Sequence, residues 1–83
     1  MLYSGRIHVT LKSGVLDPQG DTVARSLLAL GYDQVKQVRI GKYLQVGLEA
    51  EGQEEARAAL EEMCRQLLAN PVIEQYEIEV VPA

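Results

Sequence analysis

The chain has 83 residues with 12 acidic and 8 basic side chains, a formal charge of -4, no Phe, no Trp and a single Cys. The acidic balance opposes nonspecific binding to nucleic acid or to anionic membrane. One cysteine excludes an internal disulfide, and with no basic-then-apolar leader or bilayer-length apolar run, cytoplasm is the expected compartment.

This length allows one small domain, 1–83, burying about 60–65% of its unfolded surface, with a stability of roughly 4–12 kcal/mol. Its core has to be built from Leu, Val, Ile, Ala and Met, with Tyr at the margins.

From Tyr3 to Lys12 the residues alternate. Tyr3, Gly5, Ile7, Val9 and Leu11 fall on one side, and Ser4, Arg6, His8, Thr10 and Lys12 on the other, which predicts a strand with one wet face. His8 lies in the polar row, where a solvated imidazole beside a carboxylate of a neighbouring strand is expected; no second His or nucleophile stands near it in sequence. Ser13-Gly14 ends the strand. Asp17 and Pro18 then carry the signature of a helix start, an Asx cap followed by proline at the first helical position. A helix from about Pro18 to Leu30 places Val23, Leu27 and Leu30 in one stripe flanked by Ala24 and Leu28, with Gly31 as its stop. Gly20 interrupts the stripe, a cost that close approach of helix to sheet would offset. The carboxylates of Asp17 and Asp21 weigh against a phosphate at this helix start.

Tyr32-Asp33 is a loop. The pattern then predicts a β-hairpin over about 34–50, in which Val38 and Ile40 alternate on the first arm and Leu44, Val46 and Leu48 on the second. Parity requires an odd loop, Gly41-Lys42-Tyr43, so that Ile40 faces Leu44 and Val38 faces Val46. In this reading Gly41 is kept for turn geometry. Arg39, Lys42 and Tyr43 gather near the tip, either as a contact to a partner or as a solvated turn. Lys36 shares the inward parity, either as edge-strand protection or as a snorkelling stem.

A second helix is expected from Gly52 to about Ala69, with Ala56, Leu60, Met63 and Leu67 buried and Cys64 on the flank as a small hydrophobe. Glu61 and Glu62 diverge by 100° on such a helix, so they form a solvated face rather than a catalytic carboxylate pair. The last strand runs from about Glu74 to Val81 between Pro71 and Pro82, which favours an edge. The resulting order, β-α-β-β-α-β, suggests an α+β ferredoxin-like sandwich: one antiparallel four-stranded sheet with two helices on one face, the first and third strands central and the fourth beside the first. Arg6 and His8 would then share the open face with Glu77 and Glu79. That face lacks the aromatics of a base-stacking platform, and no catalytic, cofactor-binding or metal-binding set is discernible along the chain. A regulatory or assembly subunit remains.

Three segments carry a resemblance. Val15-Leu16-Asp17-Pro18-Gln19-Gly20, Val38-Arg39-Ile40-Gly41-Lys42-Tyr43, and Met63-Cys64 with Leu67-Leu68-Ala69-Asn70-Pro71-Val72-Ile73-Glu74 are together similar to the PurS family, in register over nearly the whole chain. Gln75 departs from it, standing where an acidic residue is commoner. The resemblance implies the small subunit of the three-part phosphoribosylformylglycinamidine (FGAM) synthase. That enzyme converts FGAR, ATP and glutamine to FGAM, ADP, phosphate and glutamate. The glutaminase PurQ releases ammonia and the synthetase PurL uses ATP and FGAR. PurS, by the same resemblance, holds no catalytic residues or cofactor, forms homodimers or larger homo-oligomers, and bridges the two so that ammonia can pass. The alternative is a stand-alone ACT-like sensor that binds a small metabolite between protomers.

Overall fold

In the computed structural model, which describes residues 1–83, β1 (Leu2–Leu11) is followed by α1 (Pro18–Ala29), β2 (Gly41–Glu49), α2 (Gln53–Met63) and β3 (Glu74–Pro82). The three strands form one antiparallel sheet in the order β2-β1-β3. Its register puts the apolar rows together. Tyr3, Gly5 and Ile7 lie opposite Leu48, Val46 and Leu44 of β2, and Gly5, Ile7 and Val9 lie opposite Val80, Ile78 and Tyr76 of β3. One face is therefore apolar across all three strands, aliphatic but for Tyr3 and Tyr76.

Helix α2 covers the β1–β3 half of that face, burying Ala56, Leu60 and Cys64 against Ile7, Val9 and Val80. Gly5 makes this possible, because a Cβ there would stand 2.5 Å from Leu60 Cδ1. Two long polar side chains fix the helix to β3: Gln53 Nε2 donates to the Val80 carbonyl at 2.9 Å and Arg57 to that of Ile78 at 3.1 Å. The helix was expected to stay α-helical to Ala69, but Cys64–Leu68 form a π turn closed by the Ala69 N–H on the Cys64 carbonyl. The extra residue in that turn rotates the following side chains by about 100°. Leu67, expected in the core, thus points to solvent at 83% exposure, Leu68 packs against the core in its place, and Cys64 lies fully inside.

Two expectations fail. The sheet has three strands rather than four, and the hairpin over 34–50 does not form. A three-residue loop closing on itself needs a left-handed residue, yet the only positive-φ positions are Gly14 and Gly31. Gly41 is instead the first residue of β2, opposite Thr10. Its missing side chain serves close approach rather than a turn, since a Cβ would collide with the Val9 carbonyl oxygen. Residues 34–40 lie outside the sheet and are tied back to the end of β1 by the Arg39 guanidinium, which donates to the carbonyls of Leu11 and Lys12.

Nor do both helices share one face. Of α1 only Gly20 is buried, and the molecule measures 51 × 26 × 14 Å. A ten-residue strand spans about 33 Å, so the remaining length is α1 projecting beyond the sheet. The close approach anticipated at Gly20 is to the Val38 carbonyl oxygen of the 34–40 segment, not to the sheet. At its far end α1 stops in a Schellman arrangement, with Gly31 at φ 103°, its N–H on the Leu28 carbonyl and the Tyr32 N–H on that of Leu27.

Candidate functional site

The chemistry of the chain is concentrated where α1, the 34–40 segment and the start of β2 meet. Asp17 caps α1 with one carboxylate oxygen, accepting from the Gly20 N–H at 2.9 Å, and with the other accepts from the Ile40 N–H at 2.8 Å. It is the one buried charged side chain, 5% exposed. Donation first from Ile40 and then from Gly20, with the nearby Arg39 charge adding to it, holds its carboxyl below the usual carboxylate value. Pro18 follows at the first helical position, where no N–H is needed.

Arg39 is a clasp. Its guanidinium donates to the carbonyls of Val15 at 2.9 Å, Lys12 at 3.1 Å and Leu11 at 3.5 Å, tying the loop after β1 to the segment before β2. Lys42 is exposed and unpaired with any carboxylate, and Tyr43 is 49% exposed. Alternation along β2 sends them to opposite faces. Tyr43 lies on the open face with its ring centroid 4.6 Å from that of His8, and its hydroxyl accepts from Gln45 Nε2 at 3.3 Å. The three residues taken together from sequence are thus close along the chain but not at one tip: Arg39 turns back to the backbone, Lys42 shares the parity of Leu44, and Tyr43 looks outward.

The open sheet face is polar. His8 lies opposite Glu77 of β3 and Tyr43 of β2, and Arg6 meets Glu79 at 3.4 Å. No three His, Cys, Asp or Glu side chains converge on a point. The Cys64 thiol is pushed above its ordinary value by burial and by the Glu61 charge, so it is held as the unreactive thiol. Two features escaped the sequence reading. One is the Arg39 clasp, for which the sequence holds no signal. The other is that the apolar stripe of α1 faces outward, with Val23 38%, Leu28 43% and Leu30 74% exposed.

Residues 4–82 match the family model PurS, described as phosphoribosylformylglycinamidine (FGAM) synthase. The chain belongs to the PurS family. Among PurS relatives, that of Synechocystis is 54% identical over 78 residues, 94% of this chain and 78% of its own, and that of Methanocaldococcus jannaschii is 44% identical over 79 residues, 95% of each. The fold agrees as well. A chain of the Thermotoga maritima PurLQS structure superposes with a TM-score of 0.89 at 37% identity, covering 98% of this chain and 99% of that one. The M. jannaschii PurS crystal structure, described as one of the subunits of formylglycinamide ribonucleotide amidotransferase in the purine biosynthetic pathway, gives 0.86 at 42% identity and 98% of each chain. The likeness to PurS chains therefore takes in α1 and the 34–40 segment as well as the sheet.

Proposed function

We propose that this chain is the PurS subunit of FGAM synthase in purine biosynthesis. It contributes no catalytic group and works by holding the glutaminase PurQ against the synthetase PurL, so that ammonia released from glutamine reaches the ATP-dependent amidation of FGAR. The observation that carries this is the whole-length likeness to PurS chains, one of them in a PurLQS structure. A stand-alone ACT-like sensor is not favoured by that likeness. The working compartment is the cytoplasm, and no helix is long and apolar enough to cross a membrane. The decisive assay follows FGAM formation by the matching PurL and PurQ with and without this chain, beside an ammonia-driven control. Glutamine-driven turnover is expected to require the chain while ammonia-driven turnover largely does not; indifference of both rates to its omission rejects the assignment.

The partner contact we assign to Arg39, Lys42 and Tyr43. Tyr and Arg are frequent hot-spot residues, and the Tyr43 ring presents half its surface beside His8. Because Arg39 also holds backbone carbonyls, replacing it would disturb the loop as well as any interface. The clean variant is Lys42→Ala with Tyr43→Ala. Circular dichroism should be unchanged, while the amount of PurL and PurQ co-eluting with the chain falls several-fold; undiminished co-elution removes these two residues from the interface.

A further inference from the structure

The outer edge of β3 is occupied by groups of the chain itself. The Lys12 N–H donates to the Ile73 carbonyl at 2.8 Å and the Ala83 N–H to that of Leu2 at 3.0 Å, which places the odd-numbered residues from 73 to 83 in the hydrogen bonds to β1. Glu74, Tyr76, Ile78, Val80 and Pro82 therefore turn their backbone groups outward, to a side where no strand stands, since β3 pairs only with β1. That side is closed at several points. The Glu74 N–H is taken by the Asn70 carbonyl at 2.7 Å, and Pro82 has no N–H. The carbonyls of Ile78 and Val80 accept from Arg57 at 3.1 Å and from Gln53 Nε2 at 2.9 Å.

The spacing of the two donors follows from geometry. Four residues of a helix rise about 6 Å and two residues of a strand about 6.8 Å. On a helix antiparallel to β3, residues i and i+4 thus stand level with successive outward carbonyls. Gln53 with Val80 and Arg57 with Ile78 keep this repeat. Continued by one step it reaches Glu61 and Tyr76, where a carboxylate, an acceptor only, cannot hold a carbonyl.

Without these bonds β3 would invite pairing. It has nine residues, with Tyr76, Ile78 and Val80 alternating on one face, and a free edge of this kind is a template for another strand. A second copy of β3 is self-complementary to it. In a two-fold antiparallel pair centred on Ile78, Tyr76 of one copy stands opposite Val80 of the other and the outward groups meet as hydrogen-bonded pairs. Every bond of that pair, except those onto the two Tyr76 carbonyls, needs a carbonyl that Arg57 or Gln53 already holds. Glu77 also comes opposite Glu79 of the other copy, and like charges facing each other add to the obstacle. We propose that Gln53 and Arg57 close the β3 edge against β3 of a second copy, so that the sheet ends at this strand. The closure acts whatever other partners the chain has, and so goes beyond the PurS reading.

Gln53→Ala with Arg57→Ala removes both donors while placing a good helix former at each position. In about 1 M salt, where the Glu77–Glu79 repulsion is screened, the light-scattering mass of this variant should rise with concentration to about twice that of the wild-type chain in the same salt, with the far-UV circular dichroism spectrum retained. In the same samples the outward amides of Tyr76, Ile78 and Val80 should gain about tenfold or more in hydrogen-exchange protection. A mass equal to that of the wild type at every concentration overturns the closure. So does a rise in mass without protection of these three amides, since the copies then meet elsewhere. If the double variant loses its spectrum, Arg57→Ala alone, which leaves the Gln53 bond in place, is read by the same two measurements and decided by the same outcomes.

Discussion

Leu60→Ala should lower the stability of the fold by about 3 kcal/mol, a large share of the whole for a domain of this size. Leu60 is fully buried at the centre of α2's contact with the sheet, and its two methyl groups occupy the space above Gly5. Removing them opens a cavity that the rigid antiparallel pair beneath cannot close. Gly5→Ala in the native background should also destabilise, by roughly 1–3 kcal/mol, since its Cβ would be 2.5 Å and 2.7 Å from Leu60 Cδ1 and Cδ2. In the double variant the new methyl enters the space that Leu60 has vacated. Its loss should therefore be smaller than the sum of the singles by about 1 kcal/mol or more. Urea unfolding at one fixed protein concentration reads all three, and strict additivity would show that the two positions do not share this space.

Asp17→Ala should lower the melting temperature by roughly 5 °C and abolish the hydrogen-exchange protection of the first turn of α1. Two N–H groups lose their acceptor at once, those of Gly20 and Ile40. Because α1 gains little from packing on the sheet of its own chain, this carboxylate is the principal tie between the helix and the 34–40 segment. A pH dependence follows with a definite sign. The folded carboxyl titrates below its ordinary value of about 3.9. Its stabilisation is thus fully present above that value and is lost as pH falls through the lower folded value. Protection of the Gly20 and Ile40 amides, corrected for intrinsic exchange, should be level from pH 7 down to about 5 and decline below 4. In Asp17→Asn that decline should disappear; its persistence would assign the acid sensitivity to another carboxylate.

How much of this was legible in the sequence differs from element to element. The faces of β1 and β3, the Asp17-Pro18 start and the Gly31 stop are written in local pattern, whereas the central place of β1 follows from element order and crossover handedness. Alternation, cap chemistry and the left-handed freedom of glycine act over a few residues. The Leu67-to-Leu68 exchange was not legible, because a π turn leaves no mark on the apolar period that precedes it. The hairpin failed for an instructive reason. Val38 and Ile40 have the parity of Leu44 and Val46, but parity does not say whether the chain reverses between the two rows. The tip at which the pattern gathers Arg39, Lys42 and Tyr43 does not exist, and Gly41 serves close approach to the Val9 carbonyl oxygen rather than a turn.

Residue pattern is sufficient for the core faces of β1 and β3, for where the helices begin, and for membership of the PurS family. These depend on side-chain period and on motif residues that can be seen one segment at a time. Only long-range contacts fix that no turn forms at Gly41, that α1 projects beyond the sheet, and that Asp17 and Arg39 hold it there. Those outcomes turn on backbone hydrogen bonds and close approaches between segments more than twenty residues apart, where free energies of similar size compete and no local pattern records which one prevails.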